Sequence, residues 1–249
     1  MKQFTARHPW AILAAGAAIQ ILTGLPAAWG VFQQPVMDEF GLTEDGAGYA
    51  FGILIAAFGV GCVIGGFLQD KKGPRCAALW GTGLLCSGFF AAALLPGEKG
   101  VWFWAVFSIP AGLGTAFLYP SIQSCAQKWY AGRKGLATGV IGGAVGLSGA
   151  FLTGFVRTAL KGFGPVQGIR GAFWALGGLT LPVCLVGSAL LTDPPPAKQK
   201  PEEQGRGKGT PALDLAPLQM LRTKQYWLCA GAVCCSTPAV LLFSPIILK

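Results

Sequence analysis

The chain of 249 residues is 53% hydrophobic and only 12% charged, against roughly 25% charge in an ordinary soluble domain, which argues against a water-soluble core. The net charge of +9 could suggest a nucleic-acid partner. The basic residues instead fall in short clusters between apolar runs, without interleaved aromatics, so a lipid bilayer is the expected surrounding and no nucleic acid is expected.

The opening stretch carries Lys2 and Arg7, and the apolar run behind it is too long and too aromatic for a cleaved signal peptide. It is expected to remain as helix 1, over about residues 10–35. Asp38, Glu39, Glu44 and Asp45 follow without a Lys or Arg between them, as suits an outer loop. Helix 2 is expected over 46–68 and helix 3 over 76–95. Between them lies the polar hinge Gly66 to Arg75. Here Gly66 would permit close packing, Asp70 would end one helix, Gly73 and Pro74 would stop it and start the next, and Lys71, Lys72 and Arg75 would hold the turn in the cytoplasm.

A compact outer turn over 96–100 leads into helix 4, expected over 101–127 and interrupted by Pro110 and Pro120. Lys128, Arg133 and Lys134 mark an inner loop, followed by helix 5 over 136–156 and helix 6 over 172–191. The segment joining these two carries Arg157, Lys161 and Arg170 on the outer side, yet the overall bias of basic residues keeps the N-terminus inside. From Thr192 to Lys224 the Pro-rich, Lys/Glu/Gly/Gln mixture cannot bury a core and reads as a cytoplasmic linker, with a short surface helix within 213–222. The expected fold is therefore all-α: a six-helix transmembrane bundle over 1–191, a linker over 192–224, and a seventh transmembrane helix over 226–248 within the segment 226–249.

No catalytic constellation is visible, because there is one histidine, no nucleophile elbow, and the carboxylates lie in loops. An enzyme, a cofactor and a metal are not expected. The eight cysteines have no metal-type spacing and read as packing residues. Gly142, Gly146, Ala150 and Gly154 recur every four residues, a small-residue stripe expected to let two helices approach. Helices 1 and 4 are both broken by Gly or Pro, as at transporter binding sites. On helix 4, Ser108, Gly112, Thr115, Tyr119 and Gln123 share one face; on helix 1, Gln20, Gly24, Ala27, Val31 and Gln34 do the same. Tyr119, Gln20, Gln34, Thr115 and Gln123 are thus candidate substrate-binding residues lining a wet cavity. The alternative is interhelical hydrogen bonding without substrate.

Gly66, Leu68, Asp70, Lys71, Gly73 and Arg75 match the pattern G-x-L-x-D-R/K-x-G-x-R, which resembles the loop between helices 2 and 3 of the major facilitator superfamily. A narrower resemblance is to the oxalate/formate antiporter family. Gly24, Ala28, Trp29, Val31, Phe32 and Pro35 match its helix 1 signature, with Ala27 standing where that signature has tyrosine. Tyr119-Pro120, Lys128 to Tyr130 and Arg133 to Gly139 resemble its passage from helix 4 to helix 5, and Pro217 to Leu221 its lead into helix 7.

The resemblance implies a multi-pass protein of the cell's inner membrane that carries small organic anions, mono- or dicarboxylates, by alternating access of two six-helix bundles. This chain would be the N-terminal half. The family's substrate-holding cations lie in the other half, so the missing C-terminal bundle or a second copy is the implied partner. In that setting Gly66, Asp70, Lys71, Gly73 and Arg75 would form an inner gate, with Asp70 capping a helix of the other half; otherwise Asp70 is a plain turn acid. The alternative is a truncated or partner-dependent membrane protein with no transport of its own.

Overall fold

The computed structural model describes residues 9–97, 100–194, 217–220 and 222–247, with side chains of 101, 163–167, 217–218 and 236–247 excepted. All regular structure among them is helical. In chain order the elements are α1 (Pro9–Thr23), α2 (Leu25–Phe40), α3 (Glu44–Lys72), α4 (Pro74–Leu94), α5 (Gly100–Phe103), a π-turn (Trp104–Ser108) and α6 (Ile109–Trp129). A 3-10 turn (Ala131–Arg133), α7 (Lys134–Leu190), α8 (Pro217–Met220) and α9 (Lys224–Ile247) follow. Among the described residues six segments are long and apolar enough to cross a membrane: Pro9–Phe40, Glu44–Lys72, Pro74–Leu94, Trp104–Trp129, Ala131–Gly162 and Gly168–Leu190. We refer to them as the first to sixth spans.

Local chemistry sets the boundaries. The first span continues past Pro35 to Phe40, so Asp38 and Glu39 belong to its last turn and not to a loop. It stops at Gly41, whose φ of 62° is open to glycine, while the Leu42 N–H donates back to the Met37 carbonyl at 3.2 Å. Thr43 then caps α3, accepting from the Gly46 N–H at 3.1 Å. Glu44 and Asp45 occupy the positive end of α3, and Lys71 and Lys72 the negative end. The expected ten-residue hinge is in fact helical up to Lys72; one residue, Gly73 with φ 84°, makes the turn, and Pro74 opens α4. Pro110 has no N–H for the carbonyl four residues back, and just before it the ladder widens to a π-turn, with the Ile109 N–H bonded to the Trp104 carbonyl.

The fifth and sixth spans form a hairpin. Gly16 neighbours Ile141 and Gly24 neighbours Ser148, so the fifth span runs with the first; Gly187 neighbours Ile19 and Phe32 stacks on Phe173, so the sixth runs against it. The helical spans reach to Gly162 and begin again by Gly168, so helix fills most of the stretch expected to be an outer loop. Of the linker, Thr192 to Pro194, Pro217–Met220 and 222–224 are described, Pro217–Met220 being a short helix within the expected stretch; 195–216 and 221 lie outside the described residues. Lys224–Ile247 forms a helix that packs against α2.

Close backbone approach organises the core. A Cβ on Gly114 would stand 2.5 Å from the Leu85 nitrogen and 2.8 Å from the Gly81 carbonyl oxygen; one on Gly61 would stand 2.6 Å from the Ala116 Cβ. Toward the Glu39 end, Phe40, Phe103, Phe107 and Phe173 join the first, fourth and sixth spans, with successive centroids 5.0 to 5.2 Å apart. The expected stripe on the fifth span is overturned: Gly142, Gly146 and Gly154 have nothing within 4 Å of a Cβ. The packed face is Ala137, Ile141, Ala144, Ser148, Leu152 and Val156. Cys86, Cys125 and Cys184 are buried as free thiols, but Cys229, Cys234 and Cys235 are exposed on α9.

Gly114→Val should therefore lower the melting temperature of the detergent-solubilised protein by several degrees, since overpacking costs about 1–3 kcal/mol or more. Gly142→Val should leave it unchanged. Equal effects in a thermal shift assay would refute this division of the glycines.

Candidate functional site

The first and fourth spans cross antiparallel, with Gly16 against Ile122 and Phe40 against Phe103. One helical turn from that crossing toward the Glu39 end are Gln20 on α1 and Tyr119 on α6, which the register places at a common depth. Gln20 is 1% exposed. Its Oε1 accepts from the Thr23 hydroxyl at 3.1 Å, while its Nε2 is buried without a partner among the described residues. A buried donor left in that state costs about 1–3 kcal/mol.

Thr115 is buried and spends its hydroxyl on the Ala111 carbonyl, 2.9 Å away on its own helix. Tyr119 is half-buried, its ring 6.3 Å from that of Phe58. Gln123 is half-buried with an unpartnered Oε1, and Ser108 and Ser121 on the same span have buried, unpartnered hydroxyls. Thr115 to Gln123 covers about 12 Å of helix, so Gln20, Thr115, Tyr119 and Gln123 fall in one zone near the middle of the spans. Gln34 does not join them. It lies about 20 Å farther along the first span, is exposed, and donates to the Asp38 carboxylate at 2.9 Å.

The break in the first span lies next to this zone. Gly24, between α1 and α2, has φ −76° and ψ 43°, and a Cβ there would overlap the Ser148 side chain. Glycine is required because the fifth span presses on the backbone at this point.

At the Asp70 end, the motif residues are placed differently from expectation. Gly66 has nothing within 4 Å of a Cβ; the close approach is made one residue earlier by Gly65 against Phe117, and by Gly61. Asp70, Lys71 and Arg75 are exposed, and Asp70 makes no hydrogen bond or ion pair among the described residues. Gly73 keeps its expected role as the turn residue.

Two ion pairs were not anticipated. Lys128 Nζ lies 2.9 Å from Asp193 Oδ1, and the adjoining Trp129 indole donates to the Thr192 carbonyl at 2.6 Å, tying the start of the linker to the fourth span. Arg170 Nε lies 2.6 Å from Glu39 Oε1. The signal for both was present, since each pair was expected on a common side of the membrane; what the sequence lacked was the partner helix.

The six long apolar helical spans among the described residues, with their charges at the ends, define a polytopic helical membrane protein. The family model of the Major Facilitator Superfamily matches residues 11–249, and the chain belongs to that superfamily. It is 24% identical over 209 residues to the oxalate:formate antiporter of Oxalobacter formigenes, covering 83% of this chain and 47% of that protein. It is 24% identical over 224 residues to the uncharacterized MFS-type transporter YhjX of Escherichia coli, covering 90% and 53%. With human monocarboxylate transporter 1 it shares 27% identity over 208 residues, covering 83% and 40%. The chain thus spans about half the length of these relatives.

Gln20→Met should keep or raise the melting temperature in a thermal shift assay, because it removes an unpartnered buried donor and keeps the volume. A fall of several degrees would show that Nε2 serves the packing of the bundle.

Proposed function

We propose that the chain is the N-terminal half of a secondary transporter of small mono- or dicarboxylates, working by alternating access with a second bundle. The observation that carries this reading is the buried, unpartnered amide of Gln20 beside the Tyr119 zone, in a chain whose relatives include proteins named for oxalate, formate and monocarboxylates. An amide N–H and a phenol are neutral donors suited to carboxylate oxygens. They orient an anion without compensating its charge, and all the charged side chains of the six spans sit near their ends. The compensating cation is assigned to the second bundle.

In this reading the Asp70 end is cytoplasmic, as its Lys71, Lys72, Arg75, Lys128, Arg133 and Lys134 favour, and the membrane is the cell's inner membrane. Asp70, exposed and unpaired, caps a helix N-terminus of the second bundle and is released when the inner side opens. Gln34, near the opposite end, contacts substrate on entry and not at the central site.

Coverage of about half of each relative favours a second reading alongside the first: the chain transports only together with a second bundle, from further sequence or from another copy. Proteoliposomes loaded with this chain alone, tested with radiolabelled mono- and dicarboxylates, should show no saturable exchange above empty vesicles. Joined to a second bundle, it should exchange at least one of them. Saturable exchange by the chain alone would overturn the need for a partner, and inert behaviour toward every carboxylate in the joined form would overturn the substrate class.

In the joined form, Tyr119→Phe should raise KM several-fold while Tyr226→Phe leaves it unchanged. Asp70→Asn and Gly73→Val should slow uptake with normal membrane insertion. Wild-type kinetics in the Tyr119 variant would remove that residue from the site, and wild-type kinetics in both motif variants would remove the gate.

A further inference from the structure

The first span is two helices. Beyond Gly24, α2 is connected to α1 through a non-helical residue, and Pro26 in its first turn removes a backbone donor that would otherwise bridge the break. The Ala27 N–H reaches only the Gly24 carbonyl, at 3.1 Å, as a local turn. What fixes the far end of α2 therefore decides its direction.

We propose that Glu39 and Arg170 form a latch that fastens the far end of α2 to the sixth span, and that opening it lets α2 swing about Gly24. Arg170 Nε lies 2.6 Å from Glu39 Oε1. It lies off the line of the N–H bond, so the contact is an ion pair and not an aligned hydrogen bond. The two side chains are 33% and 26% exposed, which leaves the pair less screened than one in open water. The same guanidinium carbon sits 6.0 Å from the centre of the Phe40 ring.

Beside the latch is a cavity of about 510 Å³, bounded by Pro35, Asp38 and Glu39 of α2 and by Leu160, Lys161, Gly168 and Ile169 of the fifth and sixth spans. On this side the charge contact spans the edge of the cavity, while Val36 and Phe40 of the same stretch are buried in the core. The other charged groups at the cavity do not replace the latch: Asp38 accepts from Gln34 on its own helix, and Lys161 is exposed without an ion pair among the described residues. The other attachments of α2 are packing contacts: Trp29 stacks on Phe51, Phe32 on Phe173 at 6.0 Å and Phe40 on Phe103 at 5.0 Å, and the Phe40 carbonyl lies against Gly100. Because α9 packs against α2, a swing of α2 is passed to the segment after the linker.

The test places a single cysteine at Val36, which is fully buried on α2, in a variant whose native cysteines are replaced, and measures its alkylation by a membrane-impermeant maleimide in vesicles. Glu39→Gln and Arg170→Gln should each speed the reaction at least tenfold, and the charge exchange Glu39→Arg with Arg170→Glu should return it close to the parent rate. Unchanged rates in either single variant, or an exchange that stays fast, would overturn the latch. A parallel series retaining only Cys125, buried on the fourth span at the opposite end, and labelled in vesicles of the opposite orientation, should stay slow throughout. Equal acceleration there would mean general loosening and would equally overturn it.

Discussion

Hydrocarbon offers no partner for a peptide N–H or carbonyl, so every crossing segment must satisfy its own backbone, and helices must then find each other without a hydrophobic drive. The bundle meets that constraint by close approach of backbone to backbone. Gly61 and Gly65 seat the second span on Leu113, Ala116 and Phe117, and Gly114 seats the fourth against Gly81 and Leu85 of the third. Gly112 does the same against the backbone of Leu54, and Gly24 against Ser148. With the scaffold fixed by shape, polar groups such as the Gln20 amide can remain unpartnered inside it. Their cost of about 1–3 kcal/mol each is carried by packing elsewhere.

Gln20, Ser108, Ser121 and Gln123 among those polar groups sit on the two helices whose backbones depart from regularity, while Thr153 and Thr180 lie on the fifth and sixth spans. The first span is interrupted at Gly24, and the fourth passes through a π-turn before Pro110. Discontinuities of this kind in corresponding helices of two repeats are where transporters place substrate near the midplane. Here the break at Gly24 adjoins Gln20 and Thr23 and lies near the depth of Thr115. Polar groups and the break in the first span thus meet in one zone, while the ends of the spans carry the charges.

The first six spans were legible in number and order because apolar runs of membrane length are a strong signal; the seventh expected crossing, over 226–248, has a helix at Lys224–Ile247 and lies partly outside the described side chains. Their ends were less so. Pro35 and the acids at Asp38 and Glu39 read as a stop, yet the helix runs on to a left-handed Gly41 that the pattern did not single out. The motif around Asp70 was read as a hinge because it is polar, but polar residues at a membrane surface are as content in a helix, and only Gly73 and Pro74 carry the turn. Periodicity also shows that Gly142 and Gly146 share a face without showing which face is packed. On a helix small on both sides, Ser148 and Leu152 took the interior. Within the candidate site, spacing grouped Gln20 with Gln34, and distance along the helix separates them.

The central claim is that the zone around Tyr119 opens to water and carboxylate and is not a sealed seam of interhelical hydrogen bonds. The most direct measurement is the modification of Tyr119→Cys by a small charged methanethiosulfonate reagent, in a variant otherwise free of cysteine, joined to a second bundle and held in membrane vesicles. The account predicts reaction within minutes, slowed several-fold by a saturating transported carboxylate. An inert thiol, or one whose rate no carboxylate alters, would contradict it.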